Sequence, residues 1–363
     1  MSLKRRGVRA LLGIVLVLVL TGCWDQRPVE SRAAVAAIGI DPTPFRGIQR
    51  YTFMFPDSTI TASSLSSTTR SQEFYPLSVT APSLLLALKQ LQAKQSRALY
   101  LGQVRIVAFS TALPASIWSQ TMFDMADSAR FVLTLWVVGT ADAQRLVELT
   151  PSSEVVPEVA LYRALTCHCQ PVQWPGRGWR IWDMAATPGV SIHAADVAVS
   201  SHAFAIHSLL VVGHRVQPWS EPATTGWAYL TGHINHDLKA VTVGGAPVTV
   251  ALIRGTSNLQ IRGTPHHVVV TDDLHYSGVL IEGGATAGPT PSDAAVERAV
   301  TTQIQHDIQA AWQASMHTGT DPMGWHRDAT WVDQRWTSPV SDWKGWRLDP
   351  VVHFTLREEG ILR

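Results

Sequence analysis

The apolar stretch Phe131-Val-Leu-Thr-Leu-Trp-Val-Val138 decides the fold class of this chain. An almost wholly apolar run of this length is typical of a strand that is buried on both faces of a sheet. A strand pattern at Gln103–Phe109 and a helix pattern over 114–129, opened by Pro114, come before it. This strand–helix–strand order predicts an α/β (α+β) fold, in which helices and strands pack in layers.

The same alternation extends toward the N-terminus. Strands are predicted at Val35–Asp41, at Tyr51–Phe55, where alternate aromatic residues share one face, and at Phe74–Val79. Thr80 is then predicted to cap a helix that has leucines 84, 85, 88 and 91 on one face. Helical patterns also recur at 141–149 and 154–166.

Proline and glycine are dense over residues 170–190, and this density predicts a domain boundary. We therefore expect three consecutive mixed α/β domains behind a lipidated N-terminus. They are an N-terminal α/β domain at 35–180, a small mainly β middle domain at 190–262, and a C-terminal α/β domain at 263–363. The middle domain includes a predicted strand at Trp227–Leu230. The C-terminal domain includes a long helix at 293–314, which has an apolar stripe and the potential N-cap Ser292.

The first residues of the chain have the pattern of a lipoprotein signal peptide. Four cations precede an apolar run at 10–20, which is too short to span a bilayer. The run leads into Leu20-Thr21-Gly22-Cys23, which is similar to a bacterial lipobox. We therefore expect a signal peptide at 1–22, lipidation of Cys23 by fatty acyl groups such as palmitate, and an anchor linker at 23–34. Two acyl chains hold a protein stably on a membrane.

Composition excludes several classes of protein. The 363 residues are 46% apolar and 16% charged, which is too apolar for a disordered chain. The formal net charge is +1, and removal of the cationic signal peptide leaves a mildly acidic body, so we expect no nucleic-acid partner. Three cysteines cannot form a disulfide scaffold.

Three clusters contain residue types that bind metals: Cys167-His168-Cys169, His233-Ile-Asn-His236-Asp237, and His266-His267 with Asp272, Asp273 and His275. The two cysteines lack the spacing and the second pair of a zinc site, so we interpret them as unpaired thiols, with a redox pair as the alternative. The histidine clusters lack a helical His-Glu-x-x-His arrangement. Nucleophile-elbow and phosphate-loop motifs are also absent from the sequence. We therefore expect no metal, no cofactor and no catalytic residue.

Tryptophans are concentrated near the C-terminus, at positions 325, 331, 336, 343 and 346. Tryptophan contributes a large apolar area together with a hydrogen-bond donor, so it is common both in cores and at protein interfaces. We expect this segment to pack against the last helix, with an interface role as the alternative.

Several motifs together carry a family resemblance. Leu20-Thr21-Gly22-Cys23-Trp24-Asp25 is followed by Glu30 and then by Ile38-Gly39-Ile40-Asp41. The long predicted helix is followed by Asp321-Pro322-Met323-Gly324, a tryptophan-rich stretch and a last strand at Val351–Leu356. This combination resembles the Ger(x)C family, the lipoprotein C subunit of bacterial spore germinant receptors.

The resemblance implies a non-enzymatic subunit that takes part in nutrient-triggered spore germination. Its partners would be the A and B subunits of the receptor, which are membrane proteins, and its place would be the outer face of the cytoplasmic (spore inner) membrane. Two alternatives remain at this point. They are a solute-binding lipoprotein of a transporter and an envelope hydrolase.

Overall fold

The structure is a computed structural model that describes residues 31–56, 74–149, 157–167, 169–264, 267–283, 291–332 and 345–357. The predicted signal peptide and Cys23 lie outside these residues. The described parts of the chain contain fourteen strands and eight helices, 33% helix and 40% strand, as an α/β (α+β) fold requires. Among the described helices, none is both long and apolar enough to span a bilayer.

An eight-stranded mixed sheet forms the first layer. Its strands, in spatial order, are β10 (Val216–Pro218), β9 (Phe204–Val212), β8 (Ile192–Val199), β7 (Trp136–Thr140), β6 (Ile106–Ser110), β2 (Ala37–Pro42), β3 (Gln49–Pro56) and β4 (Phe74–Ala81). The four central strands β8, β7, β6 and β2 run parallel. A small parallel pair of β1 (Arg32–Ala34) and β5 (Ala98–Tyr100) lies apart from this sheet.

Helices cover both faces of the first sheet, because successive side chains of a strand point to opposite faces. On one face Ile38 and Phe53 belong to a core with α1 (Leu84–Ala93), α2 (Ala115–Asp127) and α5 (Gly178–Ala186). On the other face Ala37 and Met54 belong to a second core. The helices of this second core are α3 (Ala143–Glu148), α4 (Pro157–Thr166) and α6 (Glu221–Leu230).

The second core continues into a four-stranded sheet and a long helix. The sheet has the order β11 (Leu238–Val243), β12 (Ala246–Thr264), β13 (His267–Gly283) and β14 (Trp346–Leu356), with β13 and β14 parallel. Helix α7 (Asp293–Thr318) begins after Ser292 and ends at Gly319, whose φ of 62° is left-handed. The predicted apolar stripe is confirmed, since Val296, Val300, Ile304, Ile308, Ala311 and Trp312 are all buried. A last helix, α8, spans Trp325–Val332.

Three local predictions were wrong. Helix α1 is capped by Ser83 rather than Thr80, since the Ser83 side chain accepts from the Leu86 N–H at 3.4 Å, and Leu85 is exposed. The strand predicted at 131–138 begins only at Trp136, because the carbonyls of Leu133 and Leu135 accept N–H groups at the start of α5.

The third wrong prediction concerns Trp227–Leu230, which belong to helix α6 and not to a strand. Ser220 caps this helix by accepting from the Ala223 N–H, and all four residues are buried. A run that is buried on every side has no periodicity to distinguish helix from strand.

The first sheet also continues across the breaker-rich segment 170–190. Strand β8 pairs with β7, and β9 and β10 extend the same sheet, so the sheet does not end at the predicted boundary near residue 180. The glycine and proline residues of this segment lie at and beside the ends of the short helix α5, and they do not form a linker between domains. The division into three folding units stays a prediction.

Candidate functional site

An open cleft of about 530 Å³ lies where α5, β8, α6 and the turn before α8 meet. We call it the aromatic cleft. Its lining includes aromatic and basic side chains, among them Trp179, Arg180, His193, Trp227, His233 and Arg327. It therefore brings together the middle of the chain and the Asp-Pro-Met-Gly segment at 321–324.

The floor of the cleft is built around Trp227, which is fully buried. The His233 ring stacks on the indole with centroids 4.7 Å apart, and the His193 ring meets its edge at 5.4 Å. The indole Nε1 donates to the carbonyl of Pro322 at 3.1 Å. The tryptophan thus links helix α6 to the C-terminal segment.

Both histidines of the floor are neutral. Burial, with a smaller contribution from the nearby Arg180 guanidinium, lowers the pKa of His193 and of His233 to about 4. Each Nδ1 lies within 3.0 Å of a backbone carbonyl, that of Ser191 or Thr231, so each Nδ1 carries the proton. Each Nε2 is then an acceptor without a proton.

Asp321 fixes the turn that closes the cleft. The carboxylate is fully buried and accepts the N–H groups of Gly324 at 2.9 Å and His326 at 2.7 Å, at the start of α8. Burial raises the pKa of this carboxyl to about 6. The backbone carbonyl of Asp321 accepts from the Ser191 N–H at 3.2 Å, and the Asp321 N–H donates to the Ser191 hydroxyl at 2.8 Å, so the same residue is attached to the segment before β8. The Asp-Pro-x-Gly motif thus connects the segment before β8 to the start of α8.

The rim of the cleft is charged and aromatic. Arg327 donates to Asp328 at 3.1 Å, and its guanidinium lies 5.2 Å from the centre of the Trp331 ring. Trp179, which lines the cleft, is 49% exposed, and Trp331, beside Arg327 on α8, is 77% exposed. Exposed tryptophans beside arginines are typical of binding surfaces.

The polar groups of the cleft suit binding better than nucleophilic catalysis. The hydroxyl of Thr231 lies 2.9 Å from Nδ1 of His233, but it donates its proton to the carbonyl of Trp227 at 2.7 Å. Since the same Nδ1 carries a proton, His233 cannot deprotonate this hydroxyl. The arrangement can hold a ligand or partner through aromatic surface and rim charges.

The Gly39-Ile40-Asp41 motif has a structural role. The Asp41 carboxylate is buried and accepts the N–H groups of Ala143 and Gln144 at 2.8 and 2.9 Å, so that it caps helix α3. A Cβ atom at Gly39 would lie 2.7 Å from the Ala143 carbonyl oxygen. Glycine and aspartate together therefore dock α3 on strand β2.

The structure places the cysteine cluster at 167–169 and the histidine cluster at 233–237 in different environments. Cys167 and Cys169 form a disulfide, so the interpretation as unpaired thiols was wrong. Their Cα atoms are 5.1 Å apart, within the usual range for a disulfide. The cluster at 233–237 is divided, because His233 joins the aromatic cleft while Asp237 accepts from the Tyr229 hydroxyl.

The tryptophan segment is also divided. Trp325 is buried and lies 5.9 Å from the Trp312 ring on α7, as expected for packing on the last helix. Trp331 is exposed, and Trp346 lies in β14. Trp336 and Trp343 lie outside the described residues. Sequence reasoning missed the aromatic cleft, because its floor residues come from distant segments and carry no motif.

We predict that His193 and His233 make the protein less stable below pH 6.5. In the folded state both rings stay neutral until about pH 4, whereas in the unfolded chain they take up protons near their usual pKa. The contribution of the two neutral rings to the free energy of unfolding is therefore fully present above pH 6.5 and is lost as pH falls toward 4. The loss is about 3 kcal/mol per ring at pH 4. Asp321 opposes it, because the folded state protonates this carboxyl first.

The measurement is the free energy of unfolding in urea at pH 7.0, 5.5 and 4.0. The variant His193→Asn/His233→Asn should lose less stability over this range than the wild type. His214→Asn is the control, since this exposed histidine lies in the turn between β9 and β10. Parallel pH curves for the wild type and the double variant would contradict the prediction.

Comparisons with known proteins agree with this fold. Residues 25–173 match the family described as the spore germination protein N-terminal domain. A solved crystal structure of the GerBC protein is similar with a TM-score of 0.55 and 12% sequence identity, over 88% of this chain and 97% of that chain. No curated protein sequence matches significantly. Residues 25–173 are thus similar to the spore germination protein N-terminal domain, and the fold over most of the chain is similar to that of the GerBC protein.

Proposed function

We propose that this protein is the lipid-anchored C subunit of a spore germinant receptor and that it takes part in nutrient-triggered germination without catalysis. The observation that carries the proposal is the family match over residues 25–173, which begins two residues after Cys23. A mature chain that starts at Cys23 would present the whole family domain directly behind its lipid.

The likeness to the GerBC fold along most of the chain supports the same assignment. Cys23 is the lipidation site, and the two acyl chains hold the protein on the outer face of the cytoplasmic (spore inner) membrane. The partners are the A and B subunits of the receptor. The aromatic cleft, with its neutral histidines and the exposed Trp179 on its rim, supports binding rather than turnover.

The lipid anchor is tested by Cys23→Ala in the full chain, expressed in a spore-forming host that lacks the native gene. We expect loss of labelled palmitate incorporation, retention of the signal peptide on a mass spectrum, and loss of the germination response that the wild type restores. Thr21→Ser is the matched control, because it keeps the thiol. Full palmitate labelling and full germination in Cys23→Ala would overturn the anchor.

The receptor role has a separate test. We expect deletion of the gene to abolish the response to the same nutrient as deletion of the neighbouring receptor subunit genes, and we expect the tagged chain to co-purify with those subunits from spore membranes. Normal germination to every nutrient, together with stabilisation of the purified chain by a transported solute, would favour a solute-binding lipoprotein. Turnover of peptidoglycan would favour a hydrolase.

A further inference from the structure

A cluster of two histidines and one aspartate lies on the four-stranded sheet, away from the aromatic cleft. Strands β13 and β14 run parallel there, and their register places His275 directly beside His353. The two imidazole rings stack with centroids 4.6 Å apart and an angle of 18° between their planes. Asp273 precedes His275 by two residues, so it lies on the same face of β13.

All three side chains stand on the solvent face of the sheet. Their neighbours Asp272, Leu274 and Phe354 are buried on the opposite face. The side chains of His275, His353 and Asp273 are 57%, 54% and 43% exposed. The cluster is thus accessible from solvent while its strands are fixed by the core.

The ligand atoms converge on one point. Nε2 of His275 lies 3.1 Å from Oδ1 of Asp273, and Nε2 of His353 lies 3.5 Å from the same oxygen. In a tetrahedral zinc site with bonds of 2.0–2.1 Å, two ligand atoms are about 3.3–3.4 Å apart. The two observed distances lie on either side of that value, and all three atoms lie within 4.8 Å of one another.

Hydrogen bonding does not explain the arrangement. Oδ1 of Asp273 is inaccessible to solvent and has no hydrogen-bond partner, although two imidazole nitrogens lie close to it. The cluster thus brings an oxygen that lacks a hydrogen bond close to two imidazole nitrogens.

We propose that Asp273, His275 and His353 form a binding site for a divalent transition-metal ion, with Zn²⁺ as the ion that best suits two imidazoles and one carboxylate. Imidazole ligands disfavour hard cations such as Mg²⁺ and Ca²⁺. Three protein ligands leave the fourth position open to water or to a ligand from outside the chain. The metal ties the edge strand β14 to β13.

The sequence alone could not identify this site. The cluster that it suggested, at residues 266–275, contained Asp273 and His275, but its Asp272 is buried on the other face of β13 and His266 lies outside the described residues. The third ligand, His353, comes from the last strand and meets His275 only through the parallel pairing of β13 and β14. This inference does not depend on the proposed receptor function.

The test is calorimetric titration of the full chain in detergent with Zn²⁺, and with Co²⁺ as a spectroscopic probe of coordination. We expect one tight site per chain, a tetrahedral Co²⁺ absorption spectrum, and no binding of Mg²⁺ at the same concentrations. His275→Ala, His353→Ala and Asp273→Asn should each weaken Zn²⁺ binding by at least 100-fold. His207→Ala is the matched control, since this exposed histidine also pairs with an aspartate on a strand.

Each variant is also assayed by circular dichroism and thermal unfolding in the absence of metal, so that a folding defect is not mistaken for lost binding. We expect Zn²⁺ to raise the Tm of the wild type and of His207→Ala but not that of the three ligand variants. Absence of a tight site in the wild type, or equal Zn²⁺ affinity in the ligand variants, would overturn the proposal.

Discussion

Replacement of Lys239 by alanine should lower the free energy of unfolding by about 3–5 kcal/mol. The Lys239 ammonium lies 2.8 Å from Asp307 on helix α7 and 3.2 Å from Asp237, which precedes β11. The side chains are 13% exposed for both Lys239 and Asp237, and 3% exposed for Asp307. Without the ammonium, two nearly buried carboxylates lie close together, and His306, 3.4 Å from Asp307, is largely exposed to solvent.

The remaining partners of these carboxylates cannot compensate. The Tyr229 hydroxyl donates to Asp237 at 3.0 Å and the Gln303 amide donates to Asp307 at 3.0 Å, and both donors are neutral. Nδ1 of His306, a largely exposed side chain, lies 3.4 Å from Asp307. Neutral donors satisfy lone pairs without neutralising the charge. The loss in Lys239→Ala therefore comes from uncompensated buried charge rather than from a missing contact.

Urea unfolding of the full chain at pH 7 measures the effect. Lys89→Ala is the matched control, since Lys89 is exposed on helix α1 and should change stability by less than about 0.5 kcal/mol. Removing one carboxylate as well, in Lys239→Ala/Asp237→Asn, should recover part of the loss. A cost below about 1 kcal/mol for Lys239→Ala would mean that solvent already screens these charges.

Much of the layer order could be predicted from the sequence. The apolar stripe of α7 alternates with exposed positions, which reveal the period of the helix. Strands β2 and β3 are buried at almost every position, and the apolar and aromatic residue types of these short runs indicated strands instead. Helix α6 could not be predicted, because Trp227–Leu230 are buried on every side. Periodicity carries information only where part of an element meets solvent.

The sites were harder to predict than the fold. The floor of the aromatic cleft joins His193 to Trp227, and the proposed metal site joins His353 to His275, in each case across two elements that are distant in sequence. Single-sequence reasoning detects ligands that one helix or loop brings together. Residues that meet through strand pairing leave no spacing to detect.

Replacement of Gly226 by alanine should destabilise the protein by about 3 kcal/mol or more. Gly226 lies where helix α6 crosses α7, and a Cβ atom there would lie 1.9 Å from the carbonyl oxygen of Asp307 and 2.4 Å from its carbon. The obstacle is backbone inside a 26-residue helix, so it cannot rotate away. The two helices must separate, and the contact of Asp307 with Lys239 is strained with them.

The sign of the stability change in Gly226→Ala shows whether helix packing or helix propensity dominates at this position. Alanine favours a helix over glycine by about 1 kcal/mol, so Gly226→Ala would stabilise a helix that had free space around it. Thr225→Ala is the matched control on the adjacent, half-buried position, where we expect a change below about 1 kcal/mol. Equal or greater stability of Gly226→Ala in urea unfolding would mean that α6 and α7 are not in backbone contact. A loss of stability in Gly226→Ala but not in Thr225→Ala would instead indicate that the two sheets are held together at this helix crossing. Helix α6 packs on the first sheet and α7 on the second.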